Sequence, residues 1–291
     1  MSVEVNITDS AGPRSLWRDL FVHANPLAFV PDLWRHRHLI RQLTWREITG
    51  RYRSSALGFA WSFATPLVTL VLYTFLFGVV FKARWPGART GNLSEFGLMI
   101  FAGITAFALF SECVNRAPGL IAASPNYVKK VVFPLEVLPV TILGSALFHT
   151  GISVLLLLAA HQALSGGAVW SAVWAPLVFV PVALLSLGVS WALASLGVFL
   201  RDIGHTTTLL MQVLFFATPI FYPREALPPS LQPIAAWNPL SAMVENVRRV
   251  TVLGLEPRWT DLGVSLLVGV LVCCLGHAWF ATTRRAFADV I

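Results

Sequence analysis

From Val137 to Leu200 the chain runs without a single Asp, Glu, Lys or Arg. A charge at mid-bilayer costs about 3 kcal/mol on insertion scales, so uncharged runs mark the segments a membrane can hold. Four more occur: Ser54 to Phe81, Phe96 to Ser111, Ile203 to Pro223 and Leu262 to Thr283. A helix crossing about 30 Å of hydrocarbon needs about 20 residues. Each of these four holds one helix, the run from Phe96 being extended toward Asn115. Val137–Leu200 divides in two at His161-Gln162 and Ser165-Gly166-Gly167, where polar and flexible residues gather. The sequence therefore predicts an all-α integral membrane protein with six transmembrane helices, near 57–81, 96–115, 138–160, 174–200, 205–221 and 262–283. Residues 1–53 form a segment before them and 284–291 a tail.

Composition agrees. Charged residues make up 12% of the chain, against about 25% in soluble domains. The net charge of +7 does not point to nucleic acid, because the basic residues lie between apolar runs and not on a soluble module. With the N-terminus inside, fourteen Lys and Arg fall on inner segments and seven on outer ones, the latter including Arg224, Arg248, Arg249 and Arg258. That imbalance places both termini in the cytoplasm. The first 30 residues lack the basic-then-apolar order of a signal peptide, so none is expected.

Two segments are too polar to span. Leu33–Tyr52 mixes Trp34, Trp45 and Tyr52 with Arg35, Arg37, Arg41, Arg46 and Arg51, the composition of a helix lying in the membrane interface. Asn238–Leu253 opens with an N-cap Asn238 and Pro239 at the first helical position. It repeats Leu240, Met243, Val244 and Val247 on one face and sets Glu245, Asn246, Arg248 and Arg249 on the other. This predicts an amphipathic helix outside the membrane, between helices five and six, with Asn238, Met243 and Val247 as parts of an outer gate.

Catalytic patterns are missing. The sequence contains no GxxxxGK[ST] loop, GxSxG elbow, HExxH or CxxC, so no ATPase, catalytic centre, metal or cofactor is expected within the chain. Glu112 and Glu136, at the inner ends of helices two and three, either form a carboxylate cluster or pair with Arg116, Lys129 or Lys130. His149 and His161 read as flanking the outer half of helix three, the first packed with one hydrogen bond and the second on the outer surface. Cys113, Cys273 and Cys274 lie in apolar surroundings as small packing residues.

Six stretches, in order, carry a family resemblance. They are Arg51-Tyr52-Arg53 with Leu57-Gly58, Trp61 and Pro66; Lys129-Lys130 through Phe133-Pro134 with Leu138-Pro139; Arg201-Asp202-Ile203; Phe215-Phe216 with Thr218-Pro219-Ile220 and Tyr222-Pro223; Asn238-Pro239-Leu240; and Phe287-Ala288-Asp289-Val290-Ile291. Together they resemble ABC-2 type exporter permeases, and within them the group exporting O-antigen, capsule and teichoic acid. Ser124-Pro125-Asn126 departs from the Asn-Ala-Asn usual in relatives, which bears on ATPase docking. The resemblance implies a homodimer in the bacterial inner membrane, served by a separate ATPase subunit that binds ATP and Mg. The cargo it implies is a lipid-linked polysaccharide moved outward. It makes Arg51, Tyr52, Arg53 and Trp61 the interfacial approach to the first helix.

In that role the longest inner loop, Arg116 to Pro134, is the natural ATPase contact, through Asn126, Lys129, Lys130, Phe133 and Pro134; its other reading is a basic topology anchor. Sugars bind through apolar faces stacked on aromatic rings. Tyr73, Phe77, Phe107, Phe110, Phe215, Phe216 and Tyr222 are the candidate pathway aromatics, with lipid-facing packing as the alternative for each. A drug or lipid exporter of the same superfamily, or a membrane enzyme acting on a lipid-linked sugar, remains compatible with the sequence.

Overall fold

The computed structural model describes residues 26–53, 57–82, 93–128, 133–165, 167, 169–200 and 202–290. These residues form helices and turns, with no strand among them. In chain order the α-helices are α1 (Pro26–Arg35), α2 (Arg37–Tyr52), α3 (Trp61–Tyr73), α4 (Leu93–Arg116), α5 (Pro125–Val128), α6 (Val137–Ser165), α7 (Ala175–Phe199), α8 (Ile203–Ala217), α9 (Gln232–Trp237), α10 (Pro239–Thr251), α11 (Trp259–Thr283) and α12 (Phe287–Val290). Five stretches are long and apolar enough to cross a membrane: Gly58–Val80, Glu95–Arg116, Val137–Leu164, Trp170–Phe199 and Trp259–Ala286. The first joins α3 to a π-helical continuation, Thr74–Val80.

Among the described residues the bundle is tightest where α7 crosses α11. A Cβ on Gly276 would lie 2.0 Å from the carbonyl oxygen of Gly188, and one on Gly188 would lie 2.4 Å from that of Val272. Only glycine lets two backbones approach so closely, the usual device for helices in lipid, which lack a hydrophobic drive to associate. Trp191, wholly buried, packs edge-on to His277, ring centroids 5.0 Å apart. Gly58–Val80 is the opposite case: Leu67, Val68, Val71, Leu72, Phe75 and Val79 are all exposed.

The fifth expected span differs from expectation. α8 has 15 residues, a length of about 22 Å, too short for about 30 Å of hydrocarbon. It stops at Thr218-Pro219, and the chain turns back through Tyr222, α9 and α10. α10 does not lie wet on an outer surface. It packs against α4, α7 and α11, and half of the supposed polar face is covered: Asn246 and Arg248 are buried together with Met243 and Val247, while Glu245 and Arg249 stay partly exposed. Arg248 therefore leaves the outer-loop charge count. The N-cap reading holds, since the Leu240 N–H donates to Asn238 Oδ1 at 3.0 Å.

A helix end among packed helices leaves carbonyls that need donors, and side chains supply them here. Thr218 Oγ donates to Leu214 O at 2.7 Å, and the Tyr222 hydroxyl donates to Phe216 O at 2.7 Å. Asn238 Nδ2 donates to Thr218 Oγ at 2.9 Å. Arg248 donates from Nη1 to Pro219 O at 2.7 Å, from Nη2 to Ile220 O, and from Nε to Met99 O at 3.0 Å. This accounts for the polar residues that interrupt an otherwise apolar region.

Candidate functional site

Beside the first span lies a cavity of about 310 Å³, bounded by α2, α3, α4 and α6. Along α3, Ser62, Thr65 and Thr69 face it, a spacing that keeps them on one side of a helix. Thr105 and Ser153 add hydroxyls from α4 and α6, and Trp61 an indole. Ser62 donates to Phe59 O at 2.7 Å and Thr69 to Thr65 O at 2.9 Å, so their oxygens still accept from a ligand.

Charged and ring groups close one end. Arg51 pairs with Glu112, and Arg116 pairs with Glu47; Arg116 Nη1 is also 3.6 Å from Glu112. His149 sits between Tyr52 and Arg51, its Nε2 2.8 Å from the Tyr52 hydroxyl and its Nδ1 3.4 Å from Arg51 Nη1. Burial raises the Tyr52 phenol above its ordinary pKa, with Arg51 opposing and Glu112 assisting, so it stays a neutral hydroxyl. The charges compensate within the cluster, leaving a ligand mainly hydroxyls and ring faces.

The aromatic residues singled out in the sequence come together farther along the same span. Tyr73 and Phe77 stack with centroids 6.2 Å apart, and Phe77 lies 5.9 Å from Phe221. Phe215 lies 5.1 Å from Phe221 and 5.1 Å from Phe107, and Phe216 lies 5.5 Å from Phe215. Tyr222 is tied to this group through Phe216 O. Phe110 is buried in the core without a ring contact to these residues among the described pairs. Phe221, the hub, was not a sequence candidate, because it sits in the turn after α8 where periodicity gives no face.

The remaining candidates fall as follows. Arg51 and Tyr52 line the cavity and Trp61 borders it; Arg53 is exposed. Asn126 is exposed on α5, and Phe133 and Pro134 are half-buried. Phe133 stacks on Tyr127 with centroids 4.2 Å apart, and Arg46 Nη2 donates to the Tyr127 hydroxyl at 2.8 Å. Lys129 and Lys130 lie outside the described residues. Met243 and Val247 are inside the bundle, so they present no gate surface. Glu112 meets Arg116 as expected, but Glu136 pairs with Arg284. His149 lies near the middle of α6, against Tyr52 and Arg51, and His161 is buried, not on the surface.

Comparison with known proteins gives a consistent result. The model of the ABC-2 type transporter family matches residues 38–252. The O-antigen export system permease protein RfbA of Myxococcus xanthus is 27% identical over 91% of this chain and 100% of its own length. The protein of the same name from Klebsiella pneumoniae is 24% identical over 87% and 95%. The polysialic acid transport protein KpsM of Escherichia coli is 23% identical over 85% and 94%. With the family model covering well over half its length, the chain belongs to the ABC-2 type transporter family.

Proposed function

We propose that this chain is the membrane permease subunit of an ATP-driven exporter that moves a lipid-linked polysaccharide from the cytoplasmic side across the bacterial inner membrane. The observation that carries the reading is the face of the first span. Ser62, Thr65, Thr69, Tyr73 and Phe77 follow one another at intervals of three or four residues, passing from the hydroxyl-lined cavity into the aromatic cluster. A glycan binds through many hydrogen bonds and through ring faces stacked on its apolar sides, without fixed charge. The relatives named for O-antigen and polysialic acid export support the same cargo class.

In this reading the permease works as a homodimer, the barely covered first span facing the partner copy across the pathway. A separate ATPase holds ATP and Mg and docks on the loop between α4 and α6. Both termini face the cytoplasm; with Arg248 buried, the outer segments carry one cation fewer than the sequence count assigns. The test is deletion of the gene in its native host, with surface glycan and intracellular lipid-linked glycan measured together. Loss of the first and accumulation of the second are expected, and restoration by Thr65→Val/Thr69→Val should be at most about a tenth of wild type. Unchanged surface glycan with lost drug efflux would instead identify a drug exporter.

A further inference from the structure

The cavity meets α2 only at its last residues, Arg51 and Tyr52, and does not reach the earlier turns. A groove of about 750 Å³ runs along them. Its floor includes Ile40, Thr44 and the buried Ile48, and Arg37, Arg41 and Trp45 rise beside them. Trp34 extends the same flank one turn earlier. Trp34 is 70% exposed and Trp45 60%, so two indoles bracket two guanidiniums. Arg37 lies over the Trp34 ring, 5.4 Å from its centroid, and donates to Trp34 O at 3.2 Å. Neither Arg37 nor Arg41 has an ion-pair partner among the described residues, and Glu47, an acid on the same helix, is taken by Arg116. Thr44 Oγ at the floor is sealed from solvent and has no hydrogen-bond partner among the described residues.

Indoles favour the level of lipid headgroups, and guanidiniums recognise phosphate through paired N–H donors. Residues 37 and 41 are one helical turn apart, on the same face. They suit either two neighbouring phosphodiesters or the two phosphates of one lipid. The apolar floor takes the start of an acyl chain. Zwitterionic lipids bring an ammonium to the same place, and among the described residues no carboxylate lines the groove to receive it.

We propose that this groove is a binding site for anionic phospholipid of the surrounding bilayer. Its occupancy holds α2 in place; the later turns of that helix carry Glu47 and Arg51, the partners of Arg116 and Glu112. The transporter is thereby sensitive to the anionic lipid content of its membrane.

The test uses the full chain, purified from a host that makes no lipid-linked glycan and placed in phosphatidylcholine nanodiscs containing 0–40 mol% phosphatidylglycerol (an assay range of roughly physiological charge density). Bound lipid is counted by native mass spectrometry. At about 1 kcal/mol per arginine near a charged surface, two contacts give an enrichment of phosphatidylglycerol over phosphatidylcholine of about thirtyfold. Arg37→Gln/Arg41→Gln should bring the ratio close to one, and raised salt should weaken the wild-type preference. Parity in the wild type, or an undiminished preference in the double variant, overturns the proposal. Retained lipid preference with lost ATPase copurification would make the flank a protein contact and also overturn it. The proposal rests on α2 lying in the interface, which a nitroxide at Gln42 tests separately. A probe in bulk water refutes the interfacial reading itself, whereas a probe at headgroup depth with lipid parity refutes this site alone.

Discussion

Replacing Arg248 with Met removes the cation that joins α10 to the end of α8 and to α4. Methionine keeps much of the volume and adds no polar atom, so the change removes the hydrogen bonds and the pair with the half-exposed Glu245, 3.8 Å away, without filling or emptying the site. Carbonyls on Met99, Pro219 and Ile220 lose a donor; Met99 O keeps its helical partner within α4, so the cost falls on Pro219 and Ile220. Each unsatisfied buried acceptor costs about 1–3 kcal/mol, and relief of the cation's own desolvation returns part of that. Two carbonyls left short, less the relieved desolvation, net about 2–4 kcal/mol, equivalent to a fall of about 5–10 °C in the unfolding midpoint. Arg248→Lys keeps the charge but lacks the planar fork that reaches carbonyls in different directions, so it should fall between the two. Gly103 supplies an internal control. A Cβ there would lie 2.8 Å from Arg248 Nη2, so Gly103→Ala should destabilise the wild type, yet have a much smaller effect beside Arg248→Met, where the obstructing nitrogen is gone. The assay is fluorescence-detected size exclusion of the detergent-extracted protein after a temperature series. An Arg248→Met midpoint within about 2 °C of wild type, or an alanine penalty equal in both backgrounds, would refute the reasoning.

Three further outcomes are expected. Glu47→Arg should lower export while moving stability by no more than about 1 kcal/mol, because its pair with Arg116 is partly exposed; Glu47→Arg/Arg116→Glu should recover export, and failure to recover would separate the pair from coupling. Val247→Asn should destabilise by about 2–4 kcal/mol by placing an amide in a sealed apolar site, and cysteines at Met243 or Val247 should not crosslink two copies; efficient crosslinking there would return α10 to an exposed gate. In a cysteine-free background, a thiol probe applied from outside should label Cys at Ala226 and not at Asn126, and the reverse pattern would invert the topology.

The spans were legible because their signal is collective: a run without charge describes a helix in lipid whatever its neighbours do. The cap at Asn238-Pro239 was legible for the opposite reason, since its geometry is local and the Leu240 N–H lies two residues away. Arg248 was not, because its acceptors come from residues 28, 29 and 149 positions distant. Within its own helix it shares a face with polar neighbours, and periodicity assigns that face to water. The early end of α8 was hidden likewise: Ile203–Pro223 is uncharged throughout, and hydropathy does not register that the helix stops at Thr218-Pro219. The aromatics were found by residue type. The hydroxyls beside them were passed over because serine and threonine in an apolar helix ordinarily satisfy themselves on their own backbone, as Ser62 and Thr69 do.

The distribution of covered and uncovered surface bears on how a bulky, flexible cargo can pass. α7 and α11 meet backbone to backbone at Gly188 and Gly276, and α4, α10 and the end of α8 are fastened by Arg248. Separating either group exposes unsatisfied carbonyls or tight backbone contacts, so these parts move as units. Gly58–Val80 has few covered residues and a π-helical C-terminal end, a form frequent at functional sites. α2 is held near the cavity by partly exposed ion pairs, each worth little alone, and by packing on α6, where Thr44 abuts Gly144. Regions with few buried contacts are those that open at low free-energy cost. Under the proposed function, therefore, the cavity widens by displacement of the first span and α2 against a fixed frame of α4, α7, α10 and α11. The same Arg51–Glu112 and Glu47–Arg116 pairs lie at the end of α4, next to the loop proposed above as the ATPase contact. A stroke delivered there meets the weakest polar contacts in its path before it meets the frame.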